Sequence, residues 1–170
     1  MKKWVIFLVL GLIALAFIVA IAIYLKDKMP EDFEVYYEYT QCGLQRFNSL
    51  NNLYSKTICD NEKVTSSLLN YTLNLSNEDK KMIYESVVKN DFFSLFDEVI
   101  LNESGSLSSG CTPSSRVIIE INSNGKFKRV SADCGDDRKQ GIGAISRTIR
   151  EVISKKEQEM NIPQANCLCF

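Results

Sequence analysis

Residues 116–130 read RVIIEINSNGKFKRV. Val117, Ile119 and Ile121 recur at every second position, the period of a strand with one buried face. Asn124-Gly125 suits a turn that needs positive φ, and Phe127 and Val130 resume the apolar residues on the return strand. The stretch therefore predicts a β-hairpin. Cys111 and Cys134 flank it almost symmetrically, and folding the strands back brings those ends within bridging distance, so Cys111–Cys134 is the first expected disulfide.

Upstream, residues 102–113 (NESGSLSSGCTP) are rich in Ser and Gly and read as a loop. Before it, Ser76 to Asp79 resembles a capping box, with acidic residues at the positive end of the coming helix dipole. Met82, Ile83, Val87 and Val88 then fall on one face of a helix over 77–90. Phe92, Phe93 and Phe96 follow as an expected aromatic plug for the core. Further upstream, 33–40 (FEVYYEYT), 54–59 and 66–75 read as strands, separated by polar turns at 41–43 and 60–63. Residues 44–52 carry a poor pattern and are expected to form a loop or an irregular strand.

Downstream, Gly141-Ile142-Gly143 opens a final helix running to about residue 160. Ile142, Ile145, Ile149, Val152 and Ile153 line one face of it, with Arg147, Arg150, Lys155 and Lys156 opposite or near its end. Pro163 stops it. The fold class that follows is α+β: an antiparallel sheet packed with two helices, preceded by an N-terminal transmembrane helix.

That last element is residues 4–25 (WVIFLVLGLIALAFIVAIAIYL), which contain no charge and no polar stripe. At helical rise they are long enough to cross a hydrocarbon core. A cleaved signal would have a shorter apolar region ending at small residues, and Ala20-Ile-Ala22 sits inside the run rather than at its end. Lys2 and Lys3 precede the span and Lys26 and Lys28 follow it, so the basic-residue count sets orientation only slightly. Anchor or signal, the rest of the chain is exported. The expected layout is 1–3 cytoplasmic, 4–25 spanning, 26–32 linker, 33–160 an extracytoplasmic domain and 161–170 a cysteine-bearing tail.

Six cysteines, Cys42, Cys59, Cys111, Cys134, Cys167 and Cys169, all lie beyond the apolar run. An even number on the exported side of a small domain reads as a disulfide framework. Cys42 and Cys59 bracket a return of chain and form the second expected pair. Cys167 and Cys169 either pair with each other under strain or fasten the tail to the domain. Zinc ligation wants C-x2-4-C spacing, and Cys167-Leu-Cys169 is one residue too tight.

The stretch 75–96 (LSNEDKKMIYESVVKNDFFSLF), together with VIIEINSNGKFKRV and a closing helix, resembles a small domain of unknown function found in exported and lipid-anchored prokaryotic proteins. Its features are a first hairpin, a helix opened by Leu-Ser, a Phe-Phe-x-Leu ending and a second hairpin. The resemblance spans roughly residues 33–153. It implies an α+β fold and brings no catalytic residues with it. Residues 44–52 depart from the Gly-rich first hairpin of that domain, and the cysteine set is not typical of it.

Chemistry-bearing residues are sparse. The chain has no histidine, which removes the commonest general base and zinc ligand, and its net charge of −1 gives no footprint for nucleic acid. Asp133 to Asp137 is an acidic, glycine-containing turn, but its spacing does not follow the calcium-binding loop of an EF-hand. Ser86-Val-Val-Lys89 and Ser123-Asn-Gly-Lys126 match S-x-x-K, a motif that needs a desolvated lysine to act as base. Glu98 and Glu103 lie near one loop with nothing to set their separation. Asn70, Asn74 and Asn102 head N-x-S/T sequons, and Cys167-Leu-Cys-Phe170 formally fits a prenylation box that the expected topology excludes. No catalytic residue, cofactor or metal site is assigned. The expected function is a non-enzymatic binding or envelope-associated module that meets an envelope or surface protein. The alternatives are a surface inhibitor of a hydrolase presenting residues 104–113, or a small hydrolase.

Overall fold

One transverse row of side chains organises the sheet. Tyr71, Tyr54, Phe47, Tyr37, Ile119 and Val130 stand opposite one another, strand by strand, across β4, β3, β2, β1, β6 and β7. The strands are β1 (Glu34–Thr40), β2 (Leu44–Asn48), β3 (Leu53–Asp60), β4 (Thr65–Thr72), β6 (Arg116–Ser123) and β7 (Lys126–Asp133), all antiparallel to their neighbours. The two-residue β5 (Glu98–Val99) adds in parallel to β7, giving the order β4-β3-β2-β1-β6-β7-β5. The computed structural model of the chain describes residues 28–41, 43–60, 65–99, 115–133, 141–164 and 167, with Ile13, Leu15 and Phe17. It divides into two compact units, Met1–Pro30 and Glu31–Phe170.

Strand alternation places Val35, Tyr37, Phe47, Tyr54, Val117, Ile119, Ile121 and Val130 on one face, and all are buried. Two helices, α1 (Asn77–Lys89) and α2 (Ile142–Glu159), cover that face. α2 meets it through Ile142, Ile145, Ile149, Val152 and Ile153, the apolar stripe expected from sequence. α1 contributes Ile83, Tyr84 and Val87. The Tyr84 ring packs edge-on against Phe33 at 5.3 Å, where the chain enters β1. The result is an α+β domain.

Local signals account for the element ends. Ser76 Oγ accepts from the Asp79 amide, and Asp79 returns the bond by accepting from the Ser76 amide, so α1 opens on a full capping box. Asn124 and Gly125 both have positive φ, the conformation a two-residue hairpin turn requires. The Asp32 carboxylate accepts from both turn amides, at 2.8 and 2.7 Å, and those bonds hold its pKa below the ordinary value. Gly141 sits at φ 89°, and a Cβ there would come within 2.9 Å of Leu95, so glycine alone lets α2 start against that side chain.

Several expectations are corrected. Residues 44–48 form a regular strand, not a loop or an irregular strand. One buried side chain, Phe47, supplies little periodicity, but β2 is paired on both sides by β1 and β3. The strand expected over 66–75 is β4, ending at Thr72, with Leu73 buried beyond it. In α1 the buried face includes Tyr84, while Met82 and Val88 are exposed, a rotation of the expected stripe. Of the aromatic plug, Phe92 is fully buried, Phe93 is half-buried and packs edge-on against it at 5.8 Å, and Phe96 is exposed. Phe127 is exposed as well, because the return strand carries it to the opposite face from Val130.

Cys59 bonds to Cys167, not to Cys42. The two cysteines are 108 residues apart in sequence, and the bond fastens the tail beyond α2 to β3. Spacing along the chain favoured nearby partners, whereas the tail is brought back from the end of α2 by Ile162, which is buried and bonded to Glu157. Cys42, Cys111, Cys134 and Cys169 lie outside the described residues. So does the apolar run 4–25 apart from Ile13, Leu15 and Phe17, which are helical with exposed side chains. Among the described residues no helix is long and apolar enough to cross a membrane.

Cross-linking across so long a separation stabilises the fold by about 2–4 kcal/mol. Cys59→Ala, Cys167→Ala and the double variant should each lose that amount in urea titrations; a double loss equal to the sum of the singles would show that the two are not partners. A pH dependence follows from the α1 cap. Burial pushes the Asp79 carboxyl up, but the bonds from the Ser76 amide and hydroxyl and the Lys156 ammonium at 3.2 Å more than offset it, leaving the pKa lowered. A lowered carboxylate contributes stability that is complete above its unfolded value of about 4 and is lost as pH falls through the folded value. Asp79→Asn should therefore cost about 1 kcal/mol at neutral pH, and the gap to wild type should close in acid. A gap that persists unchanged in acid would exclude this origin.

Candidate functional site

The helix-covered face carries buried polar contacts. Lys56 projects from β3 between Tyr54 and Ile58, at a position whose neighbours point into the core. Its ammonium lies 2.6 Å from Glu157 Oε1 on α2, with side-chain exposures of only 1% and 6%. The Tyr54 hydroxyl donates to the same carboxylate oxygen. Burial, then this bond and the adjacent negative charge, push the Tyr54 pKa far up, so the phenol stays protonated. Next to Glu157 in sequence, Lys156 bridges Asp79 of α1 and Glu159. Tyr37 and Ser146 share a hydroxyl contact at 3.2 Å, and the Arg150 guanidinium lies over the Tyr39 ring. Apart from the Lys156–Glu159 pair within α2, each of these contacts ties a helix to the sheet or to the other helix. The lysine and carboxylate are matched to each other and closed off from solvent, which is a fastening and not a reaction centre.

The opposite face of the sheet is built differently. Tyr36, Glu38, Arg46, Glu120 and Arg129 alternate with core residues and so stand together there. Glu38 Oε2 accepts from the Tyr36 hydroxyl at 2.6 Å and from Arg46 at 2.9 Å, and Glu120 accepts from Arg129 at 2.8 Å. Partial burial raises the Tyr36 pKa to about 12, with help from Glu38, so its hydroxyl remains a hydrogen-bond donor through the physiological range. Burial also pushes the Glu38 carboxyl up, but the bonds from Tyr36 and Arg46 outweigh it and hold the pKa below the usual range.

Beside this ladder, toward the end where the chain enters β1, lies a hollow of about 200 Å³. Glu34, Tyr36, Asn48, Leu50, Glu120 and Phe127 line it. Leu50 and Phe127 project with 69% and 67% of their surfaces exposed. A concave spot with two apolar walls, a phenol and two carboxylates can hold a small side chain or polar group by contact and hydrogen bonding. It contains no nucleophile paired with a base.

The S-x-x-K motifs do not assemble. Ser86 accepts from Thr148 of α2 while Lys89 is exposed, and Ser123 is buried opposite an exposed Lys126 in the hairpin. Neither lysine is desolvated, as a Ser–Lys base requires. Among the described residues no group of acidic or sulfur ligands is placed to hold a metal ion. The strand backbones of Glu98 and Asp133 are described, whereas Glu103, residues 134–137 and the proposed inhibitory loop 104–113 lie outside the described residues. Asn70, heading one sequon, accepts from Ser55 and is exposed on β4. No family model matches the sequence, and no curated protein is significantly similar to it.

The residues that reading the sequence missed are Lys56, Glu157 and Tyr36. A signal for the first two existed: each is a charge at a core-phase position, Lys56 two places from Tyr54 and Glu157 four places beyond Ile153. Removing one partner strands the other charge, so Lys56→Ala or Glu157→Ala should cost about 3–5 kcal/mol, while the Lys56→Met/Glu157→Leu double variant should return close to wild type or above it. Chemical denaturation of the four proteins measures this, and a double variant as unstable as either single would overturn the pairing as the cause.

Proposed function

We propose that the chain is a single-pass membrane protein that presents an extracytoplasmic, non-enzymatic binding domain to an envelope or surface protein. The carrying observation is the division of labour between the two faces of the sheet. Buried polar groups on one face are consumed in fastening the helices, while the other face offers a charged ladder beside a hollow with two exposed apolar walls. Exposed Leu and aromatic side chains rimmed by polar groups mark contact surfaces. The Cys59–Cys167 bond supports an oxidising compartment, and the charge-free run 4–25 supports the anchor. The resemblance of residues 75–96 and 117–130 to a domain of exported proteins agrees with that side of the membrane.

Two arms test this reading on the full chain in its native membrane. Alkylation under denaturing, non-reducing conditions should leave Cys59 and Cys167 unmodified, and alkaline washing should leave the chain in the membrane. A photo-crosslinking amino acid in place of Phe127 should give a discrete adduct with an envelope protein that disappears on adding Glu120→Lys. That substitution breaks only an exposed ion pair, worth up to about 1 kcal/mol. Alkylation of both cysteines would place the domain in a reducing compartment, and an adduct indifferent to Glu120→Lys would dismiss the hollow as the contact.

A further inference from the structure

The two edges of the sheet are unlike. At one edge, among the described residues, β5 is two residues long and pairs only with Ser131 and Ala132 of β7, whose remaining length carries Lys126, Lys128 and Arg129. At the other, β4 (TSSLLNYT) runs the full length of β3 in eight uninterrupted pairs, from Leu53–Thr72 to Asp60–Thr65, with no bulge. It contains no charge, no proline and no glycine, the devices that usually blunt an edge. Every residue from Thr65 to Asn70 is exposed, and Leu68 and Leu69 show 51% and 40% of their surfaces. An outer strand of this length offers a row of main-chain donors and acceptors roughly 27 Å long.

We propose that β4 is a self-association edge: two copies of the chain join β4 to β4 in antiparallel fashion, making one continuous sheet across a two-fold axis. The strand is complementary to itself. It carries no charge that a second copy would repel, and antiparallel pairing keeps the two faces matched when the axis passes beside a single residue. With the axis at Leu69, that leucine meets its own counterpart and Ser67 meets Tyr71, on the face where Tyr71 already rests near the Tyr54 ring at 6.3 Å. Among the described residues the other edge is blunted by the two-residue β5 and by Lys126, Lys128 and Arg129 on β7, so addition stops at two. The contact is isologous and closed, and it does not propagate into a fibre. The inference stands apart from the binding surface on the charged face of the sheet and does not depend on it.

Sedimentation of the full-length chain in detergent tests it, with Leu69→Lys and Leu69→Glu as variants. Wild type should sediment as a dimer. Each variant places like charges opposite each other and should weaken association at least about tenfold, while an equimolar mixture of the two should restore the dimer. That rescue separates a broken contact from a misfolded domain. A photo-crosslinker at Leu68 should link to residues 65–72 of the second copy. A monomeric wild type would overturn the proposal. So would a dimer that both variants leave intact, which would place the contact elsewhere, such as residues 4–25, or an adduct at Leu68 with a different protein.

Discussion

The Lys56–Glu157 pair is the contact on which the arrangement of the domain turns. It takes a charge from the middle of a strand and a charge from the last turns of α2 and leaves each with no other partner strong enough to justify its burial. Apolar side chains alone would let α2 slide along the sheet at modest cost, since any of several Ile and Val placements buries similar area. An ion pair closed to solvent does not allow that, because a shift of one residue strands both charges. The pair thereby sets the register of α2, and α2 in turn brings Lys156 to the α1 cap and Thr148 to Ser86. A contact that adds little net stability thus acts as a positional constraint.

The tail extends the same constraint. Beyond α2, Ile162 is buried and bonded to Glu157, and Cys167 is bonded to Cys59, so the chain after the helix is fastened to β3 three residues past Lys56. The covered face of the sheet is over-determined as a consequence. The charged face holds no helix in place, and its ion pairs and hydrogen bonds run within the sheet.

Much of the fold was legible in the sequence because the relevant signals are local. The hairpin over 116–130 declares itself through alternation and a two-residue Asn-Gly turn, and both helices through their stripes and, for α1, its cap. β2 was not legible. Its five residues bury a single aromatic, and it is a strand because β1 and β3 both pair with it, a non-local fact. The charged ladder was hidden for a similar reason: Tyr36, Glu38, Arg46, Glu120 and Arg129 come from four strands, and only their registers bring them together.

The sequence by itself determined the class of the domain, the buried face of α2 and the presence of a charge-free N-terminal run. Each of these follows from the periodicity or composition of a contiguous stretch. Tertiary structure alone decided that Cys59 meets Cys167 across 108 residues, that Lys56 meets Glu157, and that β4 is the outermost strand of the sheet on its side. Pairing between distant segments depends on how strands stack and where a helix ends in space, and no spacing along the chain encodes that distance.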